Sequence, residues 1–193
     1  VNVFTRAALT VTALVMAAAG CSAGEPRLIA PGNGESPPEF GMTMWERKAN
    51  VPFVLRNEFR VCLDRAGSVE IVDLRFRESF GDLTIDDFAV VDIEDYTGLD
   101  ESDGLHLEAH GYERGSVTVD IACPLDIYGP SSDNIPHHAL GIEVSKPRDA
   151  SAGGRDMIIV YQTASGKQRE LVWPFELVLC ETDNSQGECE YPG

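Results

Sequence analysis

The chain has 193 residues, 43% of them hydrophobic, which is enough for one domain with a real core. It carries 15 basic against 32 acidic residues, a formal net charge of −17 at pH 7. A surface this negative repels phosphate backbones and anionic headgroups, so nucleic acid is excluded as a partner, and cationic partners or simple solubility remain.

In chain order, the first predicted element is a leader. Arg6 stands before residues 7–19 (AALTVTALVMAAA), an uncharged, mostly apolar run. Spanning a hydrocarbon core of ~30 Å takes ~20 helical residues, so this run reads as a processed signal. It ends in Ala18-Ala19-Gly20-Cys21, which resembles the lipobox of bacterial lipoproteins, with Ala18 where that family usually has leucine. The resemblance implies cleavage before Cys21, a diacylglyceryl group on its thiol and acylation of the new amino group. Residues 1–20 are then a signal peptide and Cys21 the lipidation site, with the membrane a partner through the lipid anchor on the extracytoplasmic side. Two acyl chains, at about 0.8 kcal/mol per buried CH₂, make a stable anchor.

Residues 21–50 contain Pro26, Pro31, Pro37 and Pro38 and no sustained apolar period, so they are expected to form a lipidated N-terminus and a disordered, flexible tether. A coil of ~25 such residues spans roughly 25–30 Å. Met42, Met44 and Trp45 are the first residues expected to pack on the domain.

From residue 51 onward the pattern is strands and turns. Residues 56–63 (RNEFRVCL) form a strand candidate, and Asp64-Arg65-Ala66-Gly67 turns into a second at 68–77. In that second strand the apolar parity changes from Val69 and Ile71 to Val72, Leu74 and Phe76, which calls for a β-bulge or a crossing between sheets. Further strands are predicted at 85–93, 105–109, 116–122, 139–145, 157–163 and 169–180. Ala164-Ser165-Gly166-Lys167 is a hairpin turn, and Pro174 should mark a sheet edge or a break. No stretch sustains a helical period for eleven residues. The predicted fold is therefore all-β: an antiparallel β-sandwich of about eight strands over residues 51–193, with a polar C-terminal tail. The order of strands and the two cysteine-bearing ones resemble immunoglobulin-like domains over roughly 51–182. The tryptophan that antibody domains carry between their cysteines has no counterpart between Cys62 and Cys123.

Cys62, Cys123, Cys180 and Cys189 are an even set in an exported chain, with no C-x-x-C spacing, and so predict two disulfides. Two pairings stand open. Cys180 can close the polar loop to Cys189, leaving Cys62 for Cys123. Alternatively, Cys62 and Cys180 meet if the first and last strands run parallel side by side.

His106-Leu107-Glu108-Ala109-His110 invites a metal reading, since histidines four apart on a helix can grip one ion. Here Leu105, Leu107 and Ala109 alternate with the polar residues, so the segment is expected to be a strand, with the histidines ~13 Å apart at ~3.3 Å per residue. His106 or His110 with Glu108 and a neighbour across the sheet could then make only a partial site. His137 and His138, with Met42 and Met44 upstream, carry ligand types that suit copper, yet adjacent histidines on an extended chain face oppositely. The acidic stretch at 92–104 offers oxygen ligands for calcium but lacks EF-hand spacing. Ser132-Asp133-Asn134 has no S-x-x-K or K-T-G beside it, and no G-x-S-x-G or P-loop is present. Adjacent Asp86 and Asp87 face oppositely on a strand. No cofactor is called for. The sequence points first to a non-catalytic binding or interaction module at the envelope, second to a copper- or calcium-binding lipoprotein, and third to an enzyme of unknown class.

Overall fold

The computed structural model describes residues 24–30, 39–92, 106–123, 137–183, 189 and 191. The leader, the lipobox with Cys21, the calcium candidate beyond Asp92 and Ser132-Asp133-Asn134 lie outside them.

Among the described residues the strands are β1 (Leu28–Ile29), β2 (Phe40–Met44), β3 (Phe53–Leu63), β4 (Val69–Phe80), β5 (Thr84–Asp92), β6 (Thr118–Val119), β7 (His138–Ser145), β8 (Ala152–Thr163) and β9 (Gln168–Leu179). They form two sheets, ordered β1-β3-β7-β5 and β2-β9-β8-β4-β6, in an all-β, sandwich-like arrangement. Period-two patterning makes the core. Leu55, Phe59, Val61 and Leu63 of β3 are buried, and so are Trp173, Phe175, Leu177 and Leu179 of β9. At its centre Phe59 stands edge-on to Trp173 at 5.4 Å and to Phe175 at 4.9 Å. Such aromatic pairs contribute about 0.5–1.5 kcal/mol each beyond the area they bury.

The parity change in β4 is a bulge. Its register against β8 shifts between Ile71 and Asp73, so Ile71 and Leu74 are both buried while Val72 turns to solvent. Pro174 also sits at an irregularity. Pro174 and Phe175 oppose the single residue Asp156 of β8, and β2 begins pairing only at Phe175, so no ladder bond needs the missing N–H. The hairpin from Thr163 to Gln168 forms as expected, with Gly166 at φ 86°.

Three expectations are corrected. Residues 21–50 are not a tether throughout: β1 pairs antiparallel with β3, and β2 pairs parallel with β9. The prolines hid this, because the apolar residues Leu28, Ile29, Phe40, Met42 and Met44 occur in runs too short to show a period. A parallel neighbour to the last strand does exist, but it is β2 and not the strand ending at Cys62. Residues 116–122 make only the short β6. The carbonyls of Ser116 and Val117 accept the N–H groups of Val90 in one sheet and Ile71 in the other, and Ala122 bridges to Leu63, so this segment crosses between the sheets.

Candidate functional site

Cys62 and Cys123 are joined, with Cα atoms 5.6 Å apart, and Cys180 and Cys189 are joined at 5.9 Å. The Cys62–Cys180 pairing fails because β2, not β3, runs parallel beside β9, and each of the two cysteines is bonded to another partner. In the loop-entropy view, closures with sequence separations of 61 and 9 residues contribute about 4 and about 3 kcal/mol.

The predicted strand at 105–109 is overturned. Leu107–His110 is a turn of 3₁₀ helix, ended by Gly111 in the left-handed conformation at φ 85°. The apolar alternation misled because the real period is three: Leu107 and His110 are buried together, while Glu108 and Ala109 face out. This turn, with Tyr112, caps the outer face of the first sheet, and its tight fit depends on Gly141 of β7. A Cβ there would lie 2.6 Å from the Tyr112 ring and 2.7 Å from Leu107. The cover explains why β7 is buried on both faces from His138 to Val144.

The candidate ligands separate within this cap. His106 Nδ1 lies 2.8 Å from Glu143 Oε1, and the buried Glu143 also accepts the Leu107 N–H at 3.4 Å. His110 is buried, and its Nδ1 accepts from Arg56 at 2.9 Å, so the ring is neutral with its proton on Nε2. Burial, and then the Arg56 charge, push the imidazole pKa down. Glu108 turns outward to Arg114 at 2.8 Å, and Arg114 also reaches Asp87 at 3.3 Å.

His137 and His138 are both buried at the start of β7. His138 sits between two carboxylates, with Nδ1 2.8 Å from Asp92 and Nε2 3.2 Å from Asp120. Met42 and Met44 pack on the core from β2, beside Leu177 and Leu179 at the opposite end of the sandwich, so the copper constellation is not assembled. Among the described residues no three His, Cys, Asp or Glu side chains converge as metal ligands do.

Two features carried no signal in the sequence. Lys146 is 1% exposed; its ammonium donates to the carbonyls of Ala150 and Cys180, both at 2.9 Å, and burial lowers its pKa. The second is a clamp on the N-terminal segment. Arg27 gives Asp64 its backbone N–H at 2.8 Å and its Nε at 2.9 Å, Asp64 returns its own N–H to the Arg27 carbonyl, and Arg65 adds two further bonds to the carboxylate. Nothing in the spacing of residues 37 apart announces such a pair.

A shallow pocket of about 280 Å³ opens at the Pro174 irregularity, lined by Glu39, Phe40, Arg155 and Asp156 among others. Its cation is already engaged: Arg155 holds Glu176 at 2.7 Å and stacks 4.3 Å from the Tyr191 ring.

No protein-family description matches this chain, and no curated protein does. Among solved structures, the VesB protease of Vibrio cholerae is similar at 13% identity and a TM-score of 0.30, over 72% of this chain and 30% of the protease chain. The chain thus spans less than a third of that protein, and a likeness this slight bears on neither fold nor activity.

Proposed function

We propose that the chain is a lipid-anchored protein of the cell envelope, held through Cys21, whose immunoglobulin-like sandwich is a non-catalytic module for another envelope protein or a cationic ligand. The observation that carries this reading is where the chemically capable side chains go. His106 is committed to Glu143, His110 to Arg56, His138 to Asp92 and Asp120, and Lys146 to two carbonyls, each fastening one piece of backbone or cover to another. Groups spent in this way brace a scaffold. Support for the anchor comes from Gly24, three residues past Cys21, whose carbonyl already accepts from Arg65 of the folded domain.

Fractionation tests the anchor: Cys21→Ser should move the protein from the membrane to the soluble fraction and abolish incorporation of labelled palmitate. Retention of the variant in the membrane at unchanged size overturns the lipoprotein reading. For the module, photo-crosslinkers placed across the exposed faces of the anchored protein should trap a discrete adduct from one face, and silence from every face counts against it.

A further inference from the structure

We infer that the sandwich stands end-on at the membrane, with the Asp64–Gly67 turn and the β8–β9 hairpin against the bilayer and the end that carries Trp45 held outward. This rests on the anchoring through Cys21 proposed above and adds an orientation to it.

A long flexible tether would let the domain tumble. From Gly24 onward the chain is instead fastened at consecutive residues. The Gly24 carbonyl accepts from Arg65 at 3.3 Å. Glu25 accepts from the Ser165 hydroxyl and from Arg169, both on or beside the β8–β9 hairpin. Pro26 lies on Gly67, where a Cβ would approach its ring to 2.8 Å. Arg27 is locked to Asp64, and Leu28 and Ile29 then pair with Leu63 and Cys62. Three peptide steps of ~3.8 Å put the Cys21 Cα within ~11 Å of Gly24, so the acyl chains must enter the bilayer beside this end.

The other end is a full strand away. β8 runs twelve residues from Ala152 to Thr163, about 40 Å at ~3.3 Å per residue. Trp45 lies at that far end, just after Met44, which pairs with Leu179 opposite Ala152. Charge does not set the orientation, because this end carries Arg27, Arg65, Lys167 and Arg169 beside Glu25 and Asp64 and, around His138, Asp92 and Asp120; the short attachment does.

Energy transfer to the membrane tests the orientation. The full-length acylated protein would be purified in detergent and reconstituted into phosphatidylethanolamine and phosphatidylglycerol vesicles with a rhodamine-labelled headgroup. Single donors go on Ala164→Cys in the hairpin or on Lys48→Cys at the far end, both exposed positions. Transfer from position 164 should exceed that from position 48 several-fold. The difference should collapse when Arg27→Ala and Asp64→Ala release the clamp while both disulfides stay closed. Equal transfer from the two positions, or stronger transfer from position 48, overturns the orientation and leaves the anchor standing. An unlabelled protein that never enters the membrane fraction overturns the anchor, and the orientation with it.

Discussion

Asp64 shows how much one side chain can gather. Burial alone would raise its carboxyl pKa, but the hydrogen bonds from Arg65 and Arg27 outweigh it and hold the group at about 2, against 3.8 ordinarily. The folded value is below the unfolded one, so the unfolded chain binds the proton more readily. The stabilisation is complete above about pH 4 and is lost as pH falls through the window toward 2. A shift of that size corresponds to about 2 kcal/mol, which screening at the exposed arginines reduces to about 1 kcal/mol. Asp64→Asn should therefore melt earlier than the wild type at pH 7, and the gap should close in melts taken near pH 2. A gap unchanged between pH 7 and pH 2 would mean the stabilisation does not come from this carboxylate.

The cap over the first sheet combines a packing constraint with a titrating one. Gly141→Ala forces a methyl group into the Tyr112 ring and Leu107, and overpacking of this kind costs about 1–3 kcal/mol. Hydrogen exchange should then quicken across residues 107–112 while β8 and β9 stay protected; uniform loss of protection would show that the cap and sandwich unfold as one. His110 makes the same cap sensitive to acid. Its folded pKa lies below the ordinary 6.5, so its contribution is whole above that pH and declines as pH falls through 6.5 toward the folded value. Exchange at residues 107–112 should accelerate between pH 7 and 5 after correction for intrinsic rates, and His110→Gln should flatten that dependence. An equal acceleration in the variant would assign it to another group. The long strands were legible because each has several apolar residues at period two, and even the Val72 bulge showed as a change of parity. The cap was not legible. In a five-residue window, Leu105, Leu107 and Ala109 satisfy a strand, while the true signal was a pair three apart closed by Gly111. The Arg27–Asp64 clamp and the Lys146 bonds depend on tertiary neighbours and leave no local trace.

At the scale of the whole molecule, the boundary read from composition falls in the wrong place, and the error has a thermodynamic consequence. Proline density put the start of the domain at residue 51, yet the fold uses the stretch before it on both sheets. β2 covers the edge of β9, Phe40 packs 4.7 Å from Phe175 and 5.7 Å from Phe59, and Met44 accepts the Cys180 N–H at 2.8 Å. A chain beginning at Val51 would expose that edge with its unpaired backbone groups, an invitation to intermolecular pairing. It would also lose buried Leu28 and the half-buried Phe40, Met42 and Met44. At ~1.5–3 kcal/mol for each fully buried side chain and about half that for the others, the loss is ~5 kcal/mol, comparable to the whole stability of a marginal domain. A protein starting at Ser22 should therefore be monomeric and melt cooperatively. One starting at Glu39, which keeps β2 but loses β1 and the clamp, should melt at a lower temperature, and one starting at Val51 should aggregate or show no cooperative transition. Size-exclusion chromatography and thermal melts of the three, with both disulfides verified closed, decide it. If the Val51 protein melts with the Ser22 protein, the N-terminal segment contributes nothing to the fold and is the passive tether that its prolines imply.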